Sequence, residues 1–172
     1  ALVMQCYYYE DLLKVCAASE KVTYMDLLEL LTPVAKTYGA EMGMVSVNNG
    51  IQVLGGYGYT EDFPLEQLFR DVRIMSIYEG TTGIQSQALL GRQIPANNNR
   101  SFGLWMEEVS KVIRRASESE ELRSYGNWLS AEVREMERTT QHLLEVHNMG
   151  VDDIFISDAN LYMDVFGLVC VA

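Results

Sequence analysis

A few short groups of residues in this chain have types and spacings that could do chemistry. Glu79-Gly80-Thr81 puts a carboxylate next to a residue whose missing side chain lets another molecule come close. Ile74, Met75, Ile77 and Tyr78 precede it. An apolar setting of that kind raises a carboxyl pKa towards neutrality, where it can serve as a general base. Taken alone, Glu-Gly-Thr is usually just a helix cap. Gly55-Gly56-Tyr57-Gly58 exposes backbone N–H groups at a helix end, an anion-friendly turn that is also ordinary turn geometry. Arg70, Asp71 and Arg73 could meet phosphate, but ion pairing is the simpler reading, and Glu66 and Arg70 stand at i,i+4. His142 and His147 miss the i,i+4 spacing that puts two ligands on one helix face, so no metal is assigned.

The elements that must position these groups read as helices throughout. Residues 1–18 carry Leu2, Val3, Cys6, Tyr9, Leu12, Leu13 and Cys16 near helical spacing. Tyr7-Tyr8-Tyr9 reads as packing, because adjacent aromatics on a helix face different ways. A brief helix covers Tyr24 to Leu31, and Thr32-Pro33 reads as cap and first-turn proline of a long helix to about Leu54. Gly39 and Gly43 within it suggest close approach of another helix. After the glycine turn, Asp62 and Pro64 open a helix bearing Leu65, Leu68, Phe69 and Val72 on one face. Thr81 can cap the next helix, which runs to about Arg92.

Three stretches in order, Q-V-L-G-G-Y-G-Y-T from Gln52, P-L-E-Q-L-F-R-D-V-R-I from Pro64 and I-Y-E-G-T from Ile77, resemble the C-terminal helical domain of flavin-dependent acyl-CoA dehydrogenases. The likeness runs from about Thr32 to Ile94, and is weaker upstream. It implies an all-α, up-down helical bundle and α,β-desaturation of an acyl-CoA thioester. Glu79 then matches the base that abstracts the α-proton, with hydride transfer to FAD. Tyr78, Glu79 and Gly80 would meet the substrate, and the backbone N–H of Glu79 would bind the thioester carbonyl. The resemblance further implies that Gln52, Val53, Leu54, Gly55 and Gly56 contact the FAD of a neighbouring subunit. Thr81, Thr82, Gly83 and Gln85 would contact that of their own. Such sharing implies a homo-oligomer, a dimer or tetramer, and electrons would pass to an electron-transfer flavoprotein. Some family members carry the base on an earlier helix; a glutamate at 79 favours the commoner arrangement. An acyl-CoA oxidase, or a non-catalytic helical module for oligomerisation or partner binding, stays open as an alternative.

Residues 1–94 are therefore expected to be that domain, truncated at its start, and 95–100 (Pro-Ala-Asn-Asn-Asn-Arg) a linker. Residues 101–172 read as an added helical bundle: Phe102 to Ala116, a break at Ser117–Glu120, Leu122 to about Met149, and a last helix from Val151. Both ends fall inside apolar patterns, so the chain is read as a piece of a longer protein, inactive by itself. Composition is consistent with one sizeable core: 172 residues, 48% hydrophobic, only three prolines. A net charge of −11 argues against nucleic acid and anionic membranes as partners. The apolar tail is broken by Asp158 and Asp164 and does not read as a membrane span. Cys6, Cys16 and Cys170 lack CxxC spacing and read as buried, reduced thiols of a cytoplasmic protein.

Overall fold

A computed structural model describes all 172 residues. It contains helices and no strand: α1 (Leu2–Val15), α2 (Lys21–Leu54), α3 (Leu65–Arg73), α4 (Thr82–Ala88), α5 (Ala96–Glu118), α6 (Arg123–Asn148), α7 (Asp152–Ser157) and α8 (Ala159–Val171). The all-α fold class expected from the sequence is thus what the chain adopts. Helix α2 is the spine, 34 residues long, and α1, α3, α4, α5 and α8 all pack on it.

The spine overrides one expected boundary. Thr32 and Pro33 do not start a helix; they lie inside α2. Thr32 Oγ1 donates back to the Leu28 carbonyl at 2.7 Å instead of capping. Pro33 is buried, and its missing N–H leaves the Glu29 carbonyl without its usual partner. That gap is tolerated because Glu29, Thr32 and Pro33 border an open hollow of about 490 Å³. Leu27, Leu30, Leu31 and Val34 flank the proline in the core, and their burial on both sides of it keeps the helix continuous. Past Ala40 no residue of α2 is fully buried. There the helix carries α3, and a Cβ on Gly43 would stand 3.1 Å from Val72 Cγ1, one on Gly50 3.2 Å from Leu65 Cδ1. Gly43 thus serves the close approach its spacing suggested, whereas Gly39 faces open space.

Asp62 is not the cap of α3. It accepts from Thr60 Oγ1 at 3.0 Å, and Pro64 occupies the cap position. Glu66 and Arg70 form the expected ion pair. The Asn-rich stretch at 95–100 becomes a tight left-handed corner: Asn97, Asn98 and Asn99 have φ of 50°, 55° and 63°. Asparagine is among the few side chains that accept this region. Arg100 then pins the corner to α2 by bonds to Asp26 and to Thr23 Oγ1, the latter at 3.1 Å.

Helices α5 and α6 form a hairpin, close enough that a Cβ on Gly126 would stand 3.0 Å from Ala116 Cβ. The last helix expected from Val151 is two: α7 ends at Ser157, and α8 returns to pack on α2 and α4. One cluster of 20 buried residues draws on both sides of 95–100. Trp105 of α5 and Phe166 of α8 stack at its centre, ring centroids 4.4 Å apart. Of the tyrosine triplet, Tyr9 is buried and Tyr7 and Tyr8 are exposed, as helical geometry requires.

Two groups on α8 make this core sensitive to alkali. Burial pushes the Cys170 thiol up to about 12 from its ordinary 9.0. Burial also raises Tyr162, partly offset by its bond to Thr140, whose Oγ1 lies 2.8 Å from the tyrosine oxygen. Both pKa values are higher folded than unfolded, so the unfolded chain gives up its protons first as pH rises. Stability is fully present below about pH 9 and is lost as pH climbs from 9 towards 12. Urea midpoints at pH 7.5, 9 and 10 check this; a midpoint that holds or rises across about pH 9–10 would contradict it.

Candidate active site

The segment that follows α3 builds the turn that presents Glu79. Residues Ile74–Ser76 make one 3₁₀ turn, and then the backbone enters the left-handed region twice, at Glu79 (φ 53°) and Gly80 (φ 94°). For Gly80 that is ordinary; for a glutamate it is a conformation L residues avoid, held only where its surroundings impose it. Three side chains impose it here. Gln85 Nε2 donates to the Glu79 carbonyl at 2.9 Å. Lys36 Nζ, from α2, donates to the Gly80 carbonyl at 2.5 Å. Thr81 caps α4 as expected, its Oγ1 accepting from Ile84 N at 3.4 Å. A Cβ on Gly80 would sit 2.7 Å from Gln85 Nε2, so only glycine fits beneath that bond. The amides of Glu79, Gly80 and Thr81 have no backbone partner.

Glu79 itself is exposed, and so are Ile74, Met75, Ile77 and Tyr78 beside it. The expectation of a carboxylate held dry is not met by this chain's own residues. They supply the apolar neighbours, and nothing within the 172 residues covers them.

The expected cofactor residues fall into two separate sets. Thr82 is tied through its hydroxyl to Glu41 of α2. With Thr81 and Gly83 it borders a cavity of about 470 Å³, shared with Arg73, Ser76 and Ile77. Ser76 Oγ is buried at that wall without a hydrogen-bond partner, and Arg73 has no carboxylate within ion-pair distance. An unpartnered hydroxyl and a free guanidinium fit a polar, anionic group such as a dinucleotide.

Gln52, Val53, Leu54, Gly55 and Gly56 lie at the other end of α2. Gln52 to Leu54 stand 11 to 13 residues beyond Glu41, about 17–20 Å at 1.5 Å per residue. Val53 is 84% exposed, and a Cβ on Gly55 or Gly56 would meet nothing. Gly55 leaves the helix at φ 59°, ψ −138°, which demands glycine. Gly58 is needed for a different reason: its Cβ would be 2.6 Å from the Ile51 carbonyl oxygen. The glycine turn packs on α2 and α3, whereas α4 packs on α2 and α8, so the two sets do not converge within one chain.

Lys36 and Glu41 escaped the sequence reading. They act 44 and 41 positions from their partners, and no local pattern announces that. His142 and His147 form no metal cluster with other side chains; His147 bonds Asp152 at 3.0 Å and stacks on Phe155. No helix is long and apolar enough to cross a membrane.

Comparison with known proteins bears on this geometry. The family described as "Acyl-CoA dehydrogenase, C-terminal domain" matches residues 4–94. A butyryl-CoA dehydrogenase of Syntrophomonas wolfei is 36% identical over 114 residues, covering 66% of this chain and 19% of that protein. The broad-specificity linear acyl-CoA dehydrogenase FadE5 of Mycobacterium tuberculosis is 38% identical over 91 residues, covering 53% of this chain and 14% of that protein. The crystal structure of Caenorhabditis elegans ACDH-11 in complex with C11-CoA superposes with a TM-score of 0.69 at 23% identity. It covers 98% of this chain and 28% of that one, and so shares the fold on both sides of residues 95–100. The chain spans only 14–19% of the length of those curated relatives.

Proposed function

The chain belongs to the acyl-CoA dehydrogenase family, and from that premise we propose that it is the C-terminal helical part of a flavin enzyme that desaturates an acyl-CoA thioester. The observation that carries the reading is the Glu79 turn, a left-handed glutamate held by Lys36 and Gln85 with its own N–H left free. The Glu79 carboxylate takes the α-proton. Its backbone N–H donates to the thioester carbonyl oxygen, a bond that strengthens as negative charge develops on that oxygen. Tyr78 and Gly80 flank the reacting carbon, and the absent Cβ of Gly80 keeps the approach open. FAD, when bound, supplies the acceptor for the β-hydride. A base working near neutrality needs an apolar surround. Ile74, Met75, Ile77 and Tyr78 provide part of it, and the acyl chain with other parts of the protein provides the rest.

Thr81, Thr82, Gly83 and Gln85 would hold FAD on one side. Gln85 does so with whatever its amide has left after the bond to the Glu79 carbonyl. Gln52, Val53, Leu54, Gly55 and Gly56 would hold the FAD of a neighbouring subunit. The separation of the two sets, one packed on α2 and α3 and the other on α2 and α8, supports that division and with it a homo-oligomer. An electron-transfer flavoprotein is the proposed electron acceptor. Residues 1–94 are the family's domain in this reading, and 101–172 an extension built onto the same core. These 172 residues alone are expected to turn nothing over.

The test is anaerobic mixing of the full-length protein with acyl-CoAs of increasing chain length. Loss of the flavin's visible absorbance with at least one of them is the expected result. A spectrum unmoved by every chain length, despite measurable acyl-CoA binding, would favour a binding module instead.

A further inference from the structure

Lys36 stands on the middle of the spine helix, half-buried, 44 positions from the residue it touches. No carboxylate lies within ion-pair distance of it in a chain that carries a net charge of −11. Its ammonium is spent on a neutral carbonyl, that of Gly80. We propose that Lys36 is a positioning residue for the desaturation: it fixes the Glu79–Gly80 turn and places one positive charge beside the base and the developing enolate. This rests on the functional reading given above.

Peptide geometry supplies the first half. In a trans peptide the C=O and the following N–H point in opposite directions. Gln85 holds the Glu79 carbonyl, so the Gly80 N–H is turned away from Gln85. Lys36 holds the Gly80 carbonyl, so the Thr81 N–H is turned away from Lys36. Both amides and that of Glu79 remain unpartnered. The two side chains together hold two successive carbonyls and leave three successive amides free. Without Lys36 the Gly80–Thr81 peptide can rotate, because glycine populates both signs of φ. Glu79 then loses one of the constraints that keep it left-handed, and its carboxylate moves off the α-carbon.

Charge supplies the second half. The charge of the ammonium favours an enolate oxygen on the thioester. A lysine that served only as a prop would not.

The experiment uses the full-length holoprotein with Lys36→Met, one atom shorter and unbranched, which keeps most of the apolar stem and removes the donor and the charge. The rate of anaerobic flavin bleaching is expected to fall about 100-fold, as for a misplaced catalytic group. Affinity for an acyl-CoA analogue that cannot be desaturated should stay within about threefold. A crystal structure of the variant should show Glu79 out of the left-handed region or the 80–81 peptide rotated. If Lys36→Met does not fold, Lys36→Gln, one bond shorter and uncharged, takes its place in every measurement. Bleaching at the wild-type rate, or an unchanged turn in the crystal, overturns the proposal. A fall in Tm with unchanged bleaching also overturns it, by making Lys36 a mere prop. Should the wild-type protein bleach with no acyl-CoA, the functional reading fails, and the crystal structure still decides whether Lys36 holds the turn.

Discussion

Glu79→Gln in the full-length protein is expected to lower the desaturation rate by about 10⁴-fold, the upper end for loss of a general base. That corresponds to about 5.4 kcal/mol in activation free energy. The substitution keeps size and shape and removes only the ability to take a proton. Because Glu79 is exposed and makes no ion pair, stability should change by less than about 0.5 kcal/mol. Acyl-CoA affinity should hold too, since the bond offered to the thioester carbonyl comes from the backbone. Rapid-mixing kinetics on wild type and variant, with thermal melts alongside, measure all three. A variant within tenfold of wild type would move the base elsewhere in the protein, as in those relatives that carry it on an earlier helix. An enzyme that also lost substrate affinity would make residue 79 a binding group.

The parts of this site that lie close together in sequence were legible there. Thr81 announces the start of α4 through a local bond to Ile84, and Gly55 announces the end of α2 through a backbone shape only glycine takes easily. Glu66 and Arg70 pair because a helix brings i and i+4 together. The misreadings share one cause. Thr32-Pro33 has the local form of a helix start, yet burial of Leu30, Leu31, Pro33 and Val34 in the core outweighs it. Asp62 has the form of a cap, yet Thr60 takes its carboxylate first. Three asparagines read as a loose joint and turn out to be a left-handed corner pinned by Arg100 to Asp26, 74 positions away.

Lys36 and Glu41 lie on the far side of the same limit. Nothing within ten residues of either names Gly80 or Thr82 as its partner, and the long spine helix alone brings them together. What covers Glu79 is not legible either, for a related reason. A run of apolar neighbours in sequence says what could line a pocket, whereas closing it takes surfaces that these helices do not present to one another.

Phe166→Ala is the test of whether α8 belongs to the same cooperative unit as the Glu79 turn. Phe166 is 0% exposed and stacks on Trp105 at 4.4 Å, with Tyr162 at 6.0 Å. Truncating a buried phenylalanine removes its burial and leaves a cavity, together about 3–5 kcal/mol. In a domain of this size that is a fall in Tm of roughly 6–20 °C. The more telling measure is the shape of the transition. Phe166 and Trp105 sit in one cluster with Leu30, Leu31 and Val34 of α2, the turns that lead directly into Lys36. If the core is shared, the loss must be felt along α2, and the variant melts in a single transition at lower temperature. If the helices after Asn99 formed a unit of their own, a first transition would move down and a second would stay where wild type has it. The shared core also predicts that heating the variant loosens the Lys36–Gly80 clamp no earlier than it loosens α8, because both depend on the same buried face of the spine helix.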